Sequence, residues 1–170
     1  LSVKGEREAT NDTLEAAVEA YRSVIEIIGP ETAPGEWRVV HNNLGNSLRL
    51  LGEREGGTES LEAAVASFRI ALGMLDPTAQ PYDWALTLNN LGGTLARLGL
   101  RNGDIEALNE SVDLMRQSLQ VVTQQNSPMI WAQAQGNLGA TLARLGEMEA
   151  GTGRLEEAVI AYEAALTQFT

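Results

Sequence analysis

The side chains that most often carry enzyme chemistry are scarce in this 170-residue sequence, which has no cysteine and one histidine, His41. Without cysteine, thiolate nucleophiles and iron–sulfur clusters are excluded, and a single imidazole excludes metal sites that need two histidines. A Ser-His-Asp site would have to use His41, which occupies the helical phase held by Leu88 and Gln135 in the neighbouring segments. The sequence therefore predicts a protein that is not an enzyme.

Glycine-rich and acidic segments could in principle bind phosphate or calcium. Gly56-Gly57-Thr58 lacks the lysine of a phosphate-binding loop, and the sequence has one lysine, Lys4. Residues 53–55 and 102–106 are acidic but lack EF-hand ligand spacing, so helix capping explains them better. We predict no cofactor and no metal ion.

The sequence is strongly acidic, with 12 Lys and Arg against 23 Asp and Glu and a net charge of −11. This charge disfavours nucleic acid and anionic lipid as partners, because both require clustered cations. No apolar run approaches the ~18 residues of a membrane span. We expect a cytoplasmic protein whose partner is another polypeptide.

An internal repeat of 47 residues runs through the sequence. The segments that begin at Leu14, Leu61, Leu108 and Leu155 align without gaps. The other recurring residues are Trp37, Trp84 and Trp131; Asn43, Asn90 and Asn137; Gly45, Gly92 and Gly139; and Gly52, Gly99 and Gly146. A fixed period of this length is typical of folds in which one supersecondary unit stacks on the next.

Each repeat predicts two amphipathic helices, because apolar residues step by four and three along residues 84–98 and 61–75. All five prolines fall between repeats. The predicted ends of the first helices, where glycine would accept a left-handed conformation, are Gly52, Gly99 and Gly146. The expected helices are 13–28, 37–52 with 60–75, 84–99 with 107–122, and 131–146 with 154–169.

Two further sets of residues predict local packing and capping. A glycine in a helix interior costs about 0.5–1 kcal/mol relative to alanine, so its recurrence there indicates a close helix crossing. We expect Gly45, Gly92 and Gly139 to lie against the small residues Ala64, Ser111 and Ala158 of the second helices. The predicted capping residues of the second helices are Asp12, Thr58, Asp104 and Thr152.

The repeated motif resembles the tetratricopeptide repeat (TPR). An Asn-Leu-Gly triplet precedes Leu48, Leu95 and Leu142 by three residues, and the second helix has the small, aromatic and small positions Ala158, Tyr162 and Ala165. The period exceeds the usual family length of about 34 residues. The resemblance implies an all-α, right-handed superhelical solenoid of about seven helices in antiparallel pairs. It implies a single array over residues 1–170, with a partial unit at 1–29 and units at about 37–76, 84–123 and 131–170, taken from a longer protein.

In TPR arrays the first helices line a concave groove that binds peptides. The groove residues that the resemblance implies are Asn42, Asn43, Asn46, Arg49, Asn89, Asn90, Arg97, Gln133, Asn137 and Arg144. Amides can donate to and accept from an extended peptide, and arginine can bind a carboxylate in a fork. For Asn43, Asn90 and Asn137, a local hydrogen bond between helices is an equally good interpretation. The family's two-carboxylate clamp is not matched, because Asn42, Gln133 and Asn137 stand where cations belong.

We therefore predict a non-catalytic protein–protein interaction module that binds a peptide or a helix of a protein partner in its groove. Two alternatives stay open. Long units of this kind resemble bacterial TPR arrays beside effector domains such as CHAT-type proteases, which would make the chain a regulatory arm. The third hypothesis is a scaffold that self-associates through the apolar ends of the solenoid.

Overall fold

The computed structural model describes residues 11–149 and 152–167, and all regular secondary structure within these ranges is α-helical. The helices are α1 (Asn11–Ile27), α2 (Pro34–Arg54), α3 (Glu59–Gly73), α4 (Pro81–Asn102), α5 (Ile105–Val121), α6 (Pro128–Glu149) and α7 (Thr152–Leu166). The prediction of an all-α fold with about seven helices is thus confirmed for the described residues. No helix in these ranges is both long enough and apolar enough to cross a membrane.

The chain divides into two compact units, Leu1–Met74 and Leu75–Thr170. In the first unit, α2 packs against both α1 and α3. In the second unit, α4 pairs with α5 and α6 pairs with α7, while α6 also contacts α4 and α5. Helices that are neighbours in sequence therefore pack together within each unit, which is consistent with a helical repeat.

The apolar stripes of these helices form the core. In the second unit one cluster joins four helices, and its buried members are Ala96, Leu108, Val112, Met115, Leu138, Leu142, Leu145, Ala158 and Ala161. In the first unit the buried side chains include Leu44 and Leu48 of α2 and Leu61, Val65 and Phe68 of α3. These residues recur at the helical spacing seen in the sequence, so local periodicity determines which face of each helix is buried.

The first helices of the repeats, α2, α4 and α6, are longer than predicted at both ends. Each begins at a proline, namely Pro34, Pro81 and Pro128. Proline suits the first helical position because its φ is already helical and the N–H that it lacks would have no partner within the helix. Three of the five prolines that the sequence places between repeats therefore start the following helix, and Pro30 and Pro77 lie in the turns before it.

The prediction that Gly52, Gly99 and Gly146 end the first helices is wrong, because α2, α4 and α6 continue beyond them. Each of these glycines instead provides space for a leucine of the next helix. A Cβ at Gly52 would lie 2.8 Å from Cγ of Leu61, and one at Gly99 would lie 3.0 Å from Cγ of Leu108. Within the described residues, the positive-φ glycine is Gly103, with φ of 66°, directly after α4.

The predicted close crossings at Gly45, Gly92 and Gly139 are present, although their partners differ in part. A Cβ at Gly45 would lie 2.9 Å from the ring of Phe68, so the neighbour is Phe68 rather than Ala64. At Gly92 the nearest atoms are Cγ of Met115 and the carbonyl oxygen of Ser111, both at 3.2 Å. At Gly139 they belong to the Tyr162 ring and the Ala158 backbone, at 3.1 and 3.2 Å. In each repeat, this glycine of the first helix thus leaves space for a large side chain of the second helix.

Of the predicted capping residues, Asp104 caps its helix as expected, with Oδ1 accepting the backbone N–H of Ala107 at 3.1 Å. Thr58 precedes α3 but makes no side-chain cap; its hydroxyl donates to Oε1 of Glu62 at 2.8 Å. Asp12 lies within the first turn of α1, and Thr152 is the first residue of α7. The short polar residues therefore mark helix starts more reliably than they mark capping bonds.

Candidate functional site

The predicted groove residues are divided between the two units. Asn42, Asn43, Asn46 and Arg49 lie on α2 in the first unit, and Asn89, Asn90, Arg97, Gln133, Asn137 and Arg144 lie on α4 and α6 in the second. Each unit therefore presents its own candidate surface.

On α2 the three asparagines are half-buried, and the arginine is paired within its own helix. Nη1 of Arg49 lies 2.6 Å from Oε1 of Glu53, one turn further along α2. The ion pair neutralises the positive charge that the sequence suggested for a ligand carboxylate. The first unit accordingly offers amides and a neutral ion pair.

In the second unit, Asn89, Gly93 and Arg97 follow one another at four-residue intervals, so they lie on one face of α4. Nη1 of Arg97 donates to the carbonyl oxygen of Gly93 at 2.8 Å. Opposite this face, Nδ2 of Asn137 on α6 donates to Oδ1 of Asn89 at 3.3 Å. These contacts bring three of the predicted residues together between α4 and α6.

Gly93 leaves room for this arrangement. A Cβ at this position would lie 3.3 Å from Nη1 of Arg97 and 3.5 Å from Nδ2 of Asn137. The equivalent residues of the neighbouring repeats are Asn46 and Ala140. Of these three equivalent positions, only position 93 on α4 has no side chain. This is the position at which Arg97 and Asn137 approach each other.

A cavity of about 190 Å³ adjoins these residues, lined by Gly93, Ala96, Arg97, Leu100, Met115, Asn137, Ala140 and Thr141. Most of this lining is apolar, with Arg97 and Asn137 supplying the guanidinium and the carboxamide. Small-molecule sites usually have volumes of about 300–1,000 Å³, so this cavity suits a single side chain of a larger ligand.

Asn89 is the least exposed of the predicted groove residues, at 1%. Its Oδ1 accepts from Asn137, but its Nδ2 donates to no group among the described residues. An unpaired buried donor costs about 1–3 kcal/mol, which is why buried amides are nearly always satisfied. Asn89 therefore holds an unused N–H donor one hydrogen bond away from a residue that lines the cavity.

Of the predicted residues of the second unit, the cavity lining includes Arg97 and Asn137 but not Asn89, Asn90, Gln133 or Arg144. Asn90 is half-buried, and its backbone carbonyl accepts the hydroxyl of Thr94 at 2.8 Å. Gln133 is exposed on α6, and Nη1 of Arg144 lies 2.8 Å from Oε2 of Glu147 on the surface. For Asn137, the interpretation as a hydrogen bond between helices matches the observed bond to Asn89.

Of the residues that line the cavity, the predicted groove set contains Arg97 and Asn137, and it does not contain Leu100, Met115 or Thr141. Met115 is on the second helix of its repeat, which the sequence assigned to the core alone. Its equivalents are Phe68 and Tyr162, so the only signal was the loss of an aromatic ring at this position in the middle repeat.

His41 lies apart from this cavity, on α2 in the first unit, where it is 6% exposed. Its ring lies 4.7 Å from that of Trp37 between centroids, with the planes tilted by 59°. Neither ring nitrogen has a hydrogen-bond partner among the described residues. Burial lowers the pKa of His41 from its ordinary value of 6.5, so the imidazole is neutral at physiological pH.

The acidic segments between helices make local contacts. Ser60 donates to Oε2 of Glu55 at 2.6 Å, and Asp104 caps α5. Within residues 11–149 and 152–167, no three histidine, aspartate or glutamate side chains gather as a metal ion would require. These carboxylates therefore serve the ends of the helices.

Comparison of the sequence with models of known protein families finds no match, and comparison with curated proteins finds none either. The resemblance to TPR therefore depends on the repeated residues alone. Function is best argued from the geometry of the second unit, where Arg97 and Asn137 line an apolar cavity.

Proposed function

We propose that this protein is a non-catalytic interaction module, a right-handed solenoid of TPR type, whose second unit binds an extended peptide segment of a protein partner between α4 and α6. The observation that carries this proposal is the apolar cavity between α4 and α6, to which Arg97 supplies a guanidinium and Asn137 a carboxamide. The carboxamide of Asn137 can donate to and accept from the backbone of an extended peptide, and it is oriented by its hydrogen bond to the buried Asn89.

The cavity determines which peptide segments are preferred. Ala96, Leu100 and Ala140 offer apolar surface for one side chain of the peptide. Arg97 adds a positive charge at the same cavity, which favours a carboxylate on the peptide close to that side chain. The preferred ligand is thus a segment with an aliphatic residue beside an aspartate, a glutamate or a C-terminal carboxylate.

The overall charge of −11 does not oppose this ligand. It is distributed over the whole protein, whereas the charged group that lines the cavity is the guanidinium of Arg97. Interactions between exposed charges fall off within about 10 Å at 0.1 M salt, so carboxylates far from the cavity contribute little to the potential inside it. An acidic protein can therefore bind an acidic peptide here.

The test is selection of random peptides from a display library on the wild-type chain, followed by affinity measurements on the selected peptides. Ala140 is exposed and lines the cavity, so Ala140→Trp should obstruct the cavity without disturbing the core. Binding should weaken by about tenfold or more, which corresponds to about 1.4 kcal/mol. The matched control is Ala66→Trp, at an exposed position of α3 in the other unit.

A pair of arginine variants tests whether the positive charge of Arg97 contributes to peptide binding. Arg97→Gln should weaken the binding of peptides that contain a carboxylate, whereas Arg144→Gln should not, because Arg144 lies outside the cavity. Selected peptides that bind Ala140→Trp as tightly as wild type would contradict the proposed site. Equal effects of the two arginine substitutions would contradict the role of Arg97.

A further inference from the structure

Gly93 lies in the interior of α4, where glycine is less favourable than alanine because it loses more conformational freedom when the helix forms. A helix contains such a glycine for one of two ordinary reasons, a positive φ or the close approach of neighbouring atoms. The first does not apply, because the positive-φ glycine among the described residues is Gly103. The reason for Gly93 must therefore lie in its surroundings.

The surroundings of Gly93 differ from those of the glycine before it. A Cβ at Gly92 would meet Cγ of Met115, at the packed crossing of α4 and α5. A Cβ at Gly93 would meet two polar side-chain atoms, Nη1 of Arg97 at 3.3 Å and Nδ2 of Asn137 at 3.5 Å. Among the described residues, no other side chain or neighbouring helix comes within 4 Å of it. Helix packing explains Gly92, whereas Gly93 adjoins two groups of the candidate site.

The two atoms beside Gly93 are both hydrogen-bond donors. Nη1 of Arg97 donates to the carbonyl oxygen of Gly93 at 2.8 Å, so the guanidinium lies back along α4. Nδ2 of Asn137 donates to Oδ1 of Asn89 at 3.3 Å. A guanidinium has five N–H groups and a carboxamide has two, so neither of these bonds uses the full capacity of its donor. The space beside Gly93 is thus bordered by two groups that can donate to one ligand.

The next first helix, α6, shows the arrangement without the glycine. Its residues equivalent to Gly93 and Arg97 are Ala140 and Arg144. Nη1 of Arg144 lies 2.8 Å from Oε2 of Glu147, and the Arg144 side chain is 59% exposed. The residue of α4 equivalent to Glu147 is the apolar Leu100. The arginine of α4 therefore lies against a glycine of its own helix, whereas the arginine of α6 is paired with a carboxylate at the surface.

We propose that Gly93 sets the preference of the site between α4 and α6 for a carboxylate on the ligand, an inference that rests on the function proposed above. Because position 93 has no side chain, the guanidinium of Arg97 lies against α4 beside the carboxamide of Asn137, and a carboxylate can approach both. A methyl group at this position would lie between the two donors and displace the guanidinium. Gly93 is therefore a specificity-determining residue, present although alanine would favour the helix.

Gly93→Ala should consequently change stability and recognition in opposite directions. Alanine favours the helix, and the atoms nearest to its Cβ are the ends of side chains, so the midpoint of thermal unfolding should stay the same or rise by up to about 4 °C. The affinity for a peptide that contains a carboxylate should fall by about threefold or more, because charge-assisted hydrogen bonds depend on the position of the guanidinium. A merely structural role would lower both together.

The test compares two forms of a peptide selected on the wild-type chain, one with its aspartate or glutamate and one with the corresponding amide residue. Calorimetric titration gives both affinities for wild type, for Gly93→Ala and for Gly93→Asn, which installs the residue of the equivalent position 46. The ratio of the acidic peptide's affinity to that of the amide peptide should fall in both variants. The matched control is Gly35→Ala, at an exposed position of α2 where a Cβ meets nothing within 4 Å, and it should leave the ratio unchanged.

A double variant tests whether Gly93 acts through the arginine. Once Arg97→Gln has removed the guanidinium, Gly93→Ala should no longer change the ratio. A lower ratio in Gly93→Ala without a lower melting temperature, together with no further decrease in the double variant, supports the proposal.

Three outcomes overturn the proposal. An unchanged ratio, or equal weakening of the acidic and amide peptides, would remove the role of Gly93 and leave the proposed function intact, provided that Ala140→Trp weakens binding. Selected peptides that lack a carboxylate would overturn the carboxylate preference itself. Selected peptides that bind Ala140→Trp with wild-type affinity would overturn the proposed function and this inference with it.

Discussion

Asn137 and Asn89 are joined across α6 and α4 by a single hydrogen bond, in which Nδ2 of Asn137 donates to Oδ1 of Asn89 at 3.3 Å. The two residues are 48 positions apart, one in each first helix of the second unit. Because Asn89 is almost fully buried, this bond satisfies its acceptor while its donor stays unused among the described residues. The pair links the stability of the second unit to the proposed peptide site.

Removing one member of this pair should destabilise the protein. Asn137→Ala leaves Oδ1 of Asn89 buried without its donor, at a cost of about 1–3 kcal/mol in the free energy of unfolding. The double variant Asn89→Ala with Asn137→Ala should cost less than the sum of the single variants, with a coupling of about 0.5–3 kcal/mol. Urea denaturation of the four proteins measures this coupling.

The control is a second double-mutant cycle, in which Gln133 takes the place of Asn137. Gln133 is an exposed residue of the same helix. Gln133→Ala and Asn89→Ala should be additive within about 0.5 kcal/mol. Additivity in the Asn137 cycle would show that the hydrogen bond contributes nothing to stability.

Replacing His41 should remove one source of acid sensitivity. The unfolded chain binds a proton at His41 near pH 6.5, whereas burial lowers the pKa in the folded protein. Between these two pKa values the unfolded state holds more protons, so the free energy of unfolding falls as the pH is lowered below about 6.5 and stops falling below the folded pKa. His41→Leu, which installs the residue found at the equivalent position 88, should lack this decrease.

The measurement is the difference in free energy of unfolding between wild type and His41→Leu from pH 7.5 to 5, which isolates His41 from groups common to both proteins. Asp76 contributes to the pH dependence of stability outside this window, because the backbone N–H groups of Thr78 and Ala79 lower its pKa from an ordinary value of 3.8. A constant difference across the range would show that the folded protein does not perturb His41. At pH 7.5 the leucine variant should already be more stable, since it eliminates two buried nitrogens without partners.

Two glycines of α2 should respond in opposite directions to alanine. A Cβ at Gly45 would meet three ring atoms of the fully buried Phe68 at 2.9 to 3.0 Å, so Gly45→Ala should cost about 1–3 kcal/mol through overpacking. Gly35 is exposed in the same helix, and a Cβ there would meet nothing within 4 Å. Gly35→Ala should therefore stabilise the protein by up to about 1 kcal/mol through helix propensity.

Thermal unfolding monitored by circular dichroism compares the two variants with wild type. Equal melting temperatures for Gly45→Ala and wild type would mean that α2 and α3 shift apart at little cost, and that the crossing is looser than the distances indicate.

The two candidate capping residues should also differ. Asp104→Ala removes an observed bond to the N–H of Ala107 and should cost about 0.5–2 kcal/mol. Thr58→Ala removes only an exposed hydroxyl contact to Glu62 and should change stability by less than about 0.5 kcal/mol. Urea denaturation measures the free energy of unfolding of both variants. A larger decrease for Thr58→Ala than for Asp104→Ala would mean that Thr58 caps α3 in solution.

The sequence predicted the number of helices, their order and their buried faces, because these depend on local spacing. The steps of four and three residues along residues 61–75 and 84–98 are a property of a single helix, and the observed burial of Leu61, Phe68, Leu88 and Leu95 agrees with them. The helix ends were predicted less well. Gly52 has the residue type of a helix end, but it is buried inside α2 because Leu61 of the next helix occupies the space above it.

The candidate site could be predicted only in part. Sequence alone determined that amides and arginines recur on the first helices, since this follows from the repeat. Tertiary structure decided that Asn89 and Asn137 meet, that Arg49 is paired with Glu53, and that Leu100 and Met115 complete a cavity beside Arg97. The physical reason is that burial, hydrogen bonding and cavities depend on which helix lies alongside, whereas the repeated sequence of each helix is nearly the same everywhere.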